Sequence, residues 1–195
     1  MSDISPLRQF IIEMTILANE YYGNEQAMVN GTKPLLLDLI AEDGWLPDSC
    51  AVDGDTYRQY LLHCDPSQRF SVVSFVWGPG QTTPVHDHTV WGLIGMLRGA
   101  ETGQRFGFAE DGSLVPGETD LLAAGDIDIV SPTLGDIHKV SNAFDDKTSI
   151  SIHVYGTNIG AVNRNVYDPF SGAPKSFISG YSNTEVPNLW DMSVR

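Results

Sequence analysis

A mainly β fold, a sandwich or jelly-roll barrel with helices added at its N-terminal end, is predicted by three features of this sequence. From about Arg69 onward, short runs rich in Val, Ile, Phe and Trp recur between Gly-Pro, Asp-Gly and Pro-Gly breaks. Before that point the apolar residues fall at helical spacing instead. The length, 195 residues, suits one domain, and chains of this size bury about 70% of their unfolded surface.

In order, Leu7, Phe10, Ile11, Met14, Leu17 and Tyr21 share one helical face, with Ser5-Pro6 as a start signal and Gly23 as a stop. A second helix is expected to begin at Thr32, ahead of Lys33-Pro34. Leu36, Leu39 and Ile40 form its stripe, and it ends near Asp43-Gly44. Both stripes are assigned to packing against the barrel. Strands are expected at Phe70–Trp77, Thr89–Leu97, Ile127–Val130 and Ser149–Tyr155. After Asp168 the chain is rich in Ser, Gly, Pro and Asn and is expected to wrap the surface. The expected division is a single domain over 1–195, with helical decoration over 1–55, the barrel over 56–170 and a tail over 171–195.

Eleven basic residues against 25 acidic ones give a formal charge of −14. That balance argues against nucleic acid or an anionic membrane as partner. An anionic substrate would need a local cation that overrides the global field. Cys50 and Cys64 are the only cysteines, with no zinc-type pairing and no disulfide framework, which suits a reducing, cytoplasmic setting. The chain start lacks the order of a secretory signal, and no apolar run approaches the roughly 18 residues of a membrane span. Oligomeric state is not legible.

Three of the five histidines carry the functional signal. His86 and His88 stand two apart in Pro84-Val85-His86-Asp87-His88-Thr89, so on an extended chain they point one way and Asp87 the other. His138, in Gly135-Asp136-Ile137-His138, follows some fifty residues on. No carboxylate lies in register with them. An all-histidine triad leaves coordination positions open, which is the catalytic rather than the structural type of metal site. The ligand set alone leaves iron and zinc both open.

The segments from Gly80 to Gly99 and from Gly125 to Asn142 resemble the two motifs of the cupin family, whose fold is a double-stranded β-helix, or jelly-roll barrel. The usual cupin glutamate would fall at Gly92. That departure resembles the cysteine dioxygenase family of cupin thiol dioxygenases, which hold ferrous iron with three histidines. Phe75-Val76-Trp77-Gly78-Pro79-Gly80, His86-Asp87-His88-Thr89 and Ser151-Ile152-His153-Val154-Tyr155 fit that family in order and spacing, over roughly residues 55 to 170.

The resemblance implies one Fe(II) per chain on His86, His88 and His138, with O₂ and a small thiol carboxylate as substrates. It also implies catalytic roles for Ser151, His153 and Tyr155 as a hydrogen-bonded relay ending in the tyrosine hydroxyl. By pattern alone, that polar row reads as the wet side of a strand; the resemblance reverses that reading. Gly92 occupies the place of the cysteine that mammalian-type enzymes link to their tyrosine, so no thioether is expected. In the cysteine enzymes an arginine follows a tyrosine by two; here Tyr57-Arg58-Gln59 puts Gln59 there. This resembles the bacterial 3-mercaptopropionate dioxygenase branch, whose carboxylate clamp corresponds to Arg164. Gln59 and Tyr155 complete the implied substrate contacts. Competing readings are cysteine dioxygenase proper, with Arg58 bending inward, a zinc enzyme such as an isomerase, and a non-catalytic cupin that binds a small anion. His63 is assigned no functional role, Trp77 and Trp91 are expected to fill the barrel, and Trp91 could line the pocket mouth.

Overall fold

The computed structural model describes residues 2–192. Two helices open the chain, α1 (Ser5–Tyr21) and α2 (Glu25–Ile40). The first matches the predicted span, and its buried face is Leu7, Phe10, Ile11, Met14 and Ala18. The second begins seven residues earlier than the sequence reading, because Asn24 caps it by accepting from the Ala27 amide. Pro34 lies inside this helix rather than at its start. The carbonyl that Pro34 leaves unpaired belongs to Asn30, an exposed residue that water can reach.

Ten strands follow among the described residues, all paired antiparallel: β1 (Arg58–Cys64), β2 (Ser71–Trp77), β3 (Gly92–Arg98), β4 (Ala100–Phe108), β5 (Leu114–Ala123), β6 (Ile127–Val130), β7 (His138–Asn142), β8 (Ser149–Tyr155), β9 (Arg164–Tyr167) and β10 (Pro174–Phe177). One sheet runs β1-β2-β8-β3-β6, a second runs β5-β4-β7, and β9 pairs with β10. This is the mainly β, double-stranded β-helix architecture of the cupin fold, with two helices outside. Among the described residues no helix is long and apolar enough to cross a membrane, and both cysteines are free.

Strand alternation decides what faces what. On β2, Val72 and Val76 face the helical layer, while Val73, Phe75 and Trp77 face the barrel interior. On β8, Ile150, Ile152 and Val154 face the helices, which sends Ser151, His153 and Tyr155 inward. Both strands are therefore buried on both faces. A fully buried side chain such as Leu36 on α2 contributes about 1.5–3 kcal/mol through the surface it removes from water. Gly95 on β3 lets α2 sit close, since a Cβ there would lie 3.0 Å from Leu36 and 3.1 Å from Ile40 and would press both side chains outward by a few tenths of an ångström.

Two sequence expectations change. The run from Thr89 is not strand at its start: residues 78–91 form a loop, and β3 begins only at Gly92. The chain after Asp168 does more than wrap the surface, because β10 pairs with β9, and Ser182 and Asn183 hydrogen-bond the backbone of β1.

Candidate metal centre and its pocket

His86 and His88 sit in the loop between β2 and β3, not on a regular strand. Their alternation survives because a reciprocal bridge keeps this stretch extended: the His86 amide donates to the His138 carbonyl at 2.9 Å, and the His138 amide donates back at 3.0 Å. The two halves of the candidate site are thus tied together by main chain. Asp87 points the opposite way and accepts from the Asn165 amide, the Asn165 side chain and the Tyr167 hydroxyl at 2.7–2.9 Å. That clasp fixes β9 behind the loop.

The three imidazoles are buried, with ring centroids 4.8–4.9 Å apart in each pair, and each offers a ligand atom within 4.8 Å of the others. His86 Nδ1 donates to the Pro84 carbonyl at 3.0 Å, and His88 Nδ1 donates to Asp136 at 2.9 Å. With Nδ1 protonated, Nε2 keeps its lone pair free on both rings. Burial, with His88 alongside, pushes His86 down to about 3, and burial with the other two imidazoles pushes His138 well below the usual range. Converging and buried, the three rings fit a metal ion and could hold one.

Asp136 is one residue of the site that the sequence reading missed. Besides the His88 ring it accepts from the His88 and Thr89 amides at 3.0 and 2.7 Å. Thr89 has φ +60°, a conformation that a β-branched side chain resists, and this carboxylate holds it there. Burial works to raise the Asp136 pKa, but the His88 ring and the two amides hold it below the usual carboxylate value. Partners of this kind orient a metal-binding imidazole, and losing one typically costs about 10–100-fold in metal affinity. Asp136→Asn is expected to weaken ferrous-iron binding by about that factor in a chelator-competition titration. Unchanged affinity would remove Asp136 from the centre.

Ser151, His153 and Tyr155 form the contacts expected of a row on one face. The Ser151 hydroxyl lies 2.8 Å from His153 Nε2, and His153 Nδ1 lies 2.8 Å from the Tyr155 hydroxyl. All three are buried, which rules out the wet side of a strand. Phe75 stacks on His153 at 4.1 Å, and the Tyr155 ring stacks on His88 at 5.5 Å. Burial raises the Tyr155 pKa and lowers that of His153, so both are neutral. Two partners of Ser151 were not read from the sequence: Trp77 Nε1 donates to it at 3.1 Å, and its hydroxyl meets Glu101 at 3.0 Å. Gly92 lets the tyrosine in, because a Cβ there would lie 2.7 Å from the Tyr155 ring. Neither cysteine lines the pocket.

A cavity of about 200 Å³ joins the three histidines to Tyr155, Gln59 and Arg164. Among the described residues Arg164 is its one charged lining residue apart from the histidines, and it is only 4% exposed. Arg164 is therefore a buried pocket residue and not an exposed loop arginine. One Nη donates to Ser179 at 2.7 Å, the guanidinium lies 4.8 Å from the Phe177 ring centroid, and Nε is buried with no partner. An orphaned buried donor of this kind suits an anion. Ser179 and Phe177 come from the segment after Asp168, which thus supplies one wall. Arg58 is not a lining residue; its guanidinium packs over Gly54. Trp77 lines the pocket, whereas Trp91 packs in the helix-facing core against Gly156. His63 packs on Phe70 at 5.9 Å, away from the site.

Fold and site together define a cupin with three histidines that could hold a metal ion. Residues 48–168, which include His86, His88, His138, the Ser151 row, Gln59 and Arg164, match the sequence model of cysteine dioxygenase type I, and the chain belongs to that family. It is also similar to solved structures. A double-stranded β-helix protein from Klebsiella pneumoniae is 17% identical, with 69% of this chain and 97% of that one covered and a TM-score of 0.46. A protein from Thermus thermophilus is 20% identical over 56% of this chain and 92% of its own, with a TM-score of 0.44. A cupin superfamily protein from Desulfitobacterium hafniense is 12% identical over 55% and 83%, with a TM-score of 0.41.

Proposed function

We propose that this protein is an Fe(II)-dependent thiol dioxygenase acting on a small thiol carboxylate, with 3-mercaptopropionate as the preferred substrate and 3-sulfinopropionate as the product. The observation that carries this reading is the pairing, in one cavity, of the three converging histidines with a buried arginine whose Nε has no partner. A ferrous ion held by His86, His88 and His138 would supply the redox chemistry that joins O₂ to sulfur. The overall change is RSH + O₂ → RSO₂⁻ + H⁺.

The chain's own residues do the rest. Arg164 receives the carboxylate in the planar fork suited to both its oxygens, and Ser179 and Phe177 hold that fork in place. Gln59 borders the same cavity without adding charge. Phe75, Trp77 and Val140 wall the site with apolar surface and keep water away. The Tyr155 hydroxyl, positioned by His153, contacts the reacting atoms.

L-Cysteine would bring an ammonium group, and among the described residues no carboxylate lines this cavity to receive it. With Arg58 turned away, the cysteine-type clamp also lacks its guanidinium. The deciding experiment is oxygen uptake by the iron-loaded protein with 3-mercaptopropionate, L-cysteine and 2-aminoethanethiol in turn, with sulfinate products identified. Rapid uptake with the first, one O₂ per sulfinate, is expected. Absence of uptake with every thiol would leave the anion-binding cupin as the better reading.

A further inference from the structure

The hydrogen-bonded row does not stop at Ser151. Glu101 on β4 reaches across from the other sheet, 3% exposed, and meets the Ser151 hydroxyl. Glu101 also borders a second cavity of about 210 Å³, lined also by Asp120 and Asp128, which shares His138 and Val140 with the wall of the substrate pocket. Asp120 is exposed and Asp128 partly so, which gives this cavity access to solvent. The chain Tyr155–His153–Ser151–Glu101 therefore runs from one cavity to the other.

We infer that Glu101 sets the direction of this chain, and with it whether Tyr155 offers the substrate pocket a hydrogen-bond acceptor or a donor. The argument is a count of protons. Trp77 Nε1 can only donate, so Ser151 has one hydrogen to give to either Glu101 or His153. An ionised Glu101 can only accept, and takes it. His153, being neutral, must then carry its proton on Nε2 to meet Ser151, which leaves Nδ1 bare to accept from the Tyr155 hydroxyl. Tyr155 turns its lone pair to the pocket. When Glu101 is protonated every link reverses: it donates to Ser151, Ser151 to His153 Nε2, and Nδ1–H to Tyr155, whose own O–H now faces the pocket.

The switch is placed to matter at neutral to mildly basic pH. Burial pushes Glu101 up to about 8; the hydrogen bond from Ser151 opposes this, and nearby Asp128 adds to it. The other charged or titratable groups around it are Asp120 on β5, His138 on β7, His153 on β8, and Arg105 of its own strand, which is paired with Asp128 at 2.6 Å.

On the thiol dioxygenase reading, on which this consequence rests, the two states are linked by the substrate's own proton. A thiol S–H handed to Tyr155 moves one proton along each link, so that RSH and ionised Glu101 become RS⁻ and protonated Glu101. No net charge stays on Tyr155, His153 or Ser151, and Tyr155 is left as a donor toward the pocket. A free thiol titrates near 8.5, close to Glu101, so the exchange is nearly balanced. Glu101 then releases its proton through the second cavity, accounting for the one proton formed per sulfinate.

The test reads the His153 tautomer directly. In the full-length protein labelled with ¹⁵N-histidine, with zinc added to keep the centre diamagnetic, the bare and protonated ring nitrogens of His153 should exchange places as rising pH ionises Glu101. Glu101→Gln should remove that transition, and Ser151→Ala should uncouple His153 from Glu101 and remove it as well. A single His153 tautomer from pH 6 to 10 in the wild-type protein would overturn the inference, whether or not the variants fold. A transition that persists unchanged in Glu101→Gln would do the same. The readout needs no turnover. A tautomer exchange without thiol oxidation would retain the switch and reject the thiol dioxygenase assignment.

Discussion

Alanine at any one of His86, His88 or His138 is expected to abolish stoichiometric iron binding, and with it turnover. Among the described residues no carboxylate joins the three rings, so two imidazoles remain where three converge. Two neutral nitrogens make a weak site for a divalent ion. The loss should also exceed that in Asp136→Asn, which removes a partner of one imidazole and leaves all three in place. Metal content after desalting, measured against the wild-type protein, checks this. Iron retained at one equivalent in all three alanine variants would show that the centre lies elsewhere.

Arg164→Ala is expected to lower kcat/KM for 3-mercaptopropionate by roughly 2–5 kcal/mol, the scale for stranding a buried charge. That corresponds to roughly thirtyfold up to several thousandfold. The loss should be much smaller for 2-aminoethanethiol, which has no carboxylate to strand. Arg164→Lys should restore only part of the rate, because an ammonium keeps the charge but not the two-pronged fork. In the wild-type protein L-cysteine should be the poorer substrate. Equal losses for acidic and non-acidic thiols, or a preference for L-cysteine, would reassign the arginine.

What the sequence made legible was whatever depends on short-range periodicity. The first helix, strand β8 and the shared direction of His86 and His88 all follow from residue spacing. The inward row of Ser151, His153 and Tyr155 does too, once the alternate face is seen to be aliphatic. Arg164 and Gln59 came only through family resemblance, and the structure puts both at the cavity wall. What escaped was set by contacts between distant elements. Asp136 is two residues from His138, yet its partners His88 and Thr89 lie 48 and 47 residues away. Glu101 and Ser151 are 50 apart on different sheets, and no local pattern marks an acid that will be buried. The start of α2 was misplaced for another reason: Pro34 was read as an opening signal, while the cap at Asn24 lies ten residues earlier.

Strand β8 has a consequence for folding errors. One side of it demands hydrocarbon and the other demands a serine, a histidine and a tyrosine in fixed order. A slip of one residue exchanges the two sides, pressing polar groups against the helices and leaving Ile150, Ile152 and Val154 at the metal centre. Such a slipped strand forfeits core stability and chemistry together. The burial of β8 on both faces thus ties correct register to a formed site, because the same alternation that completes the core also builds the row.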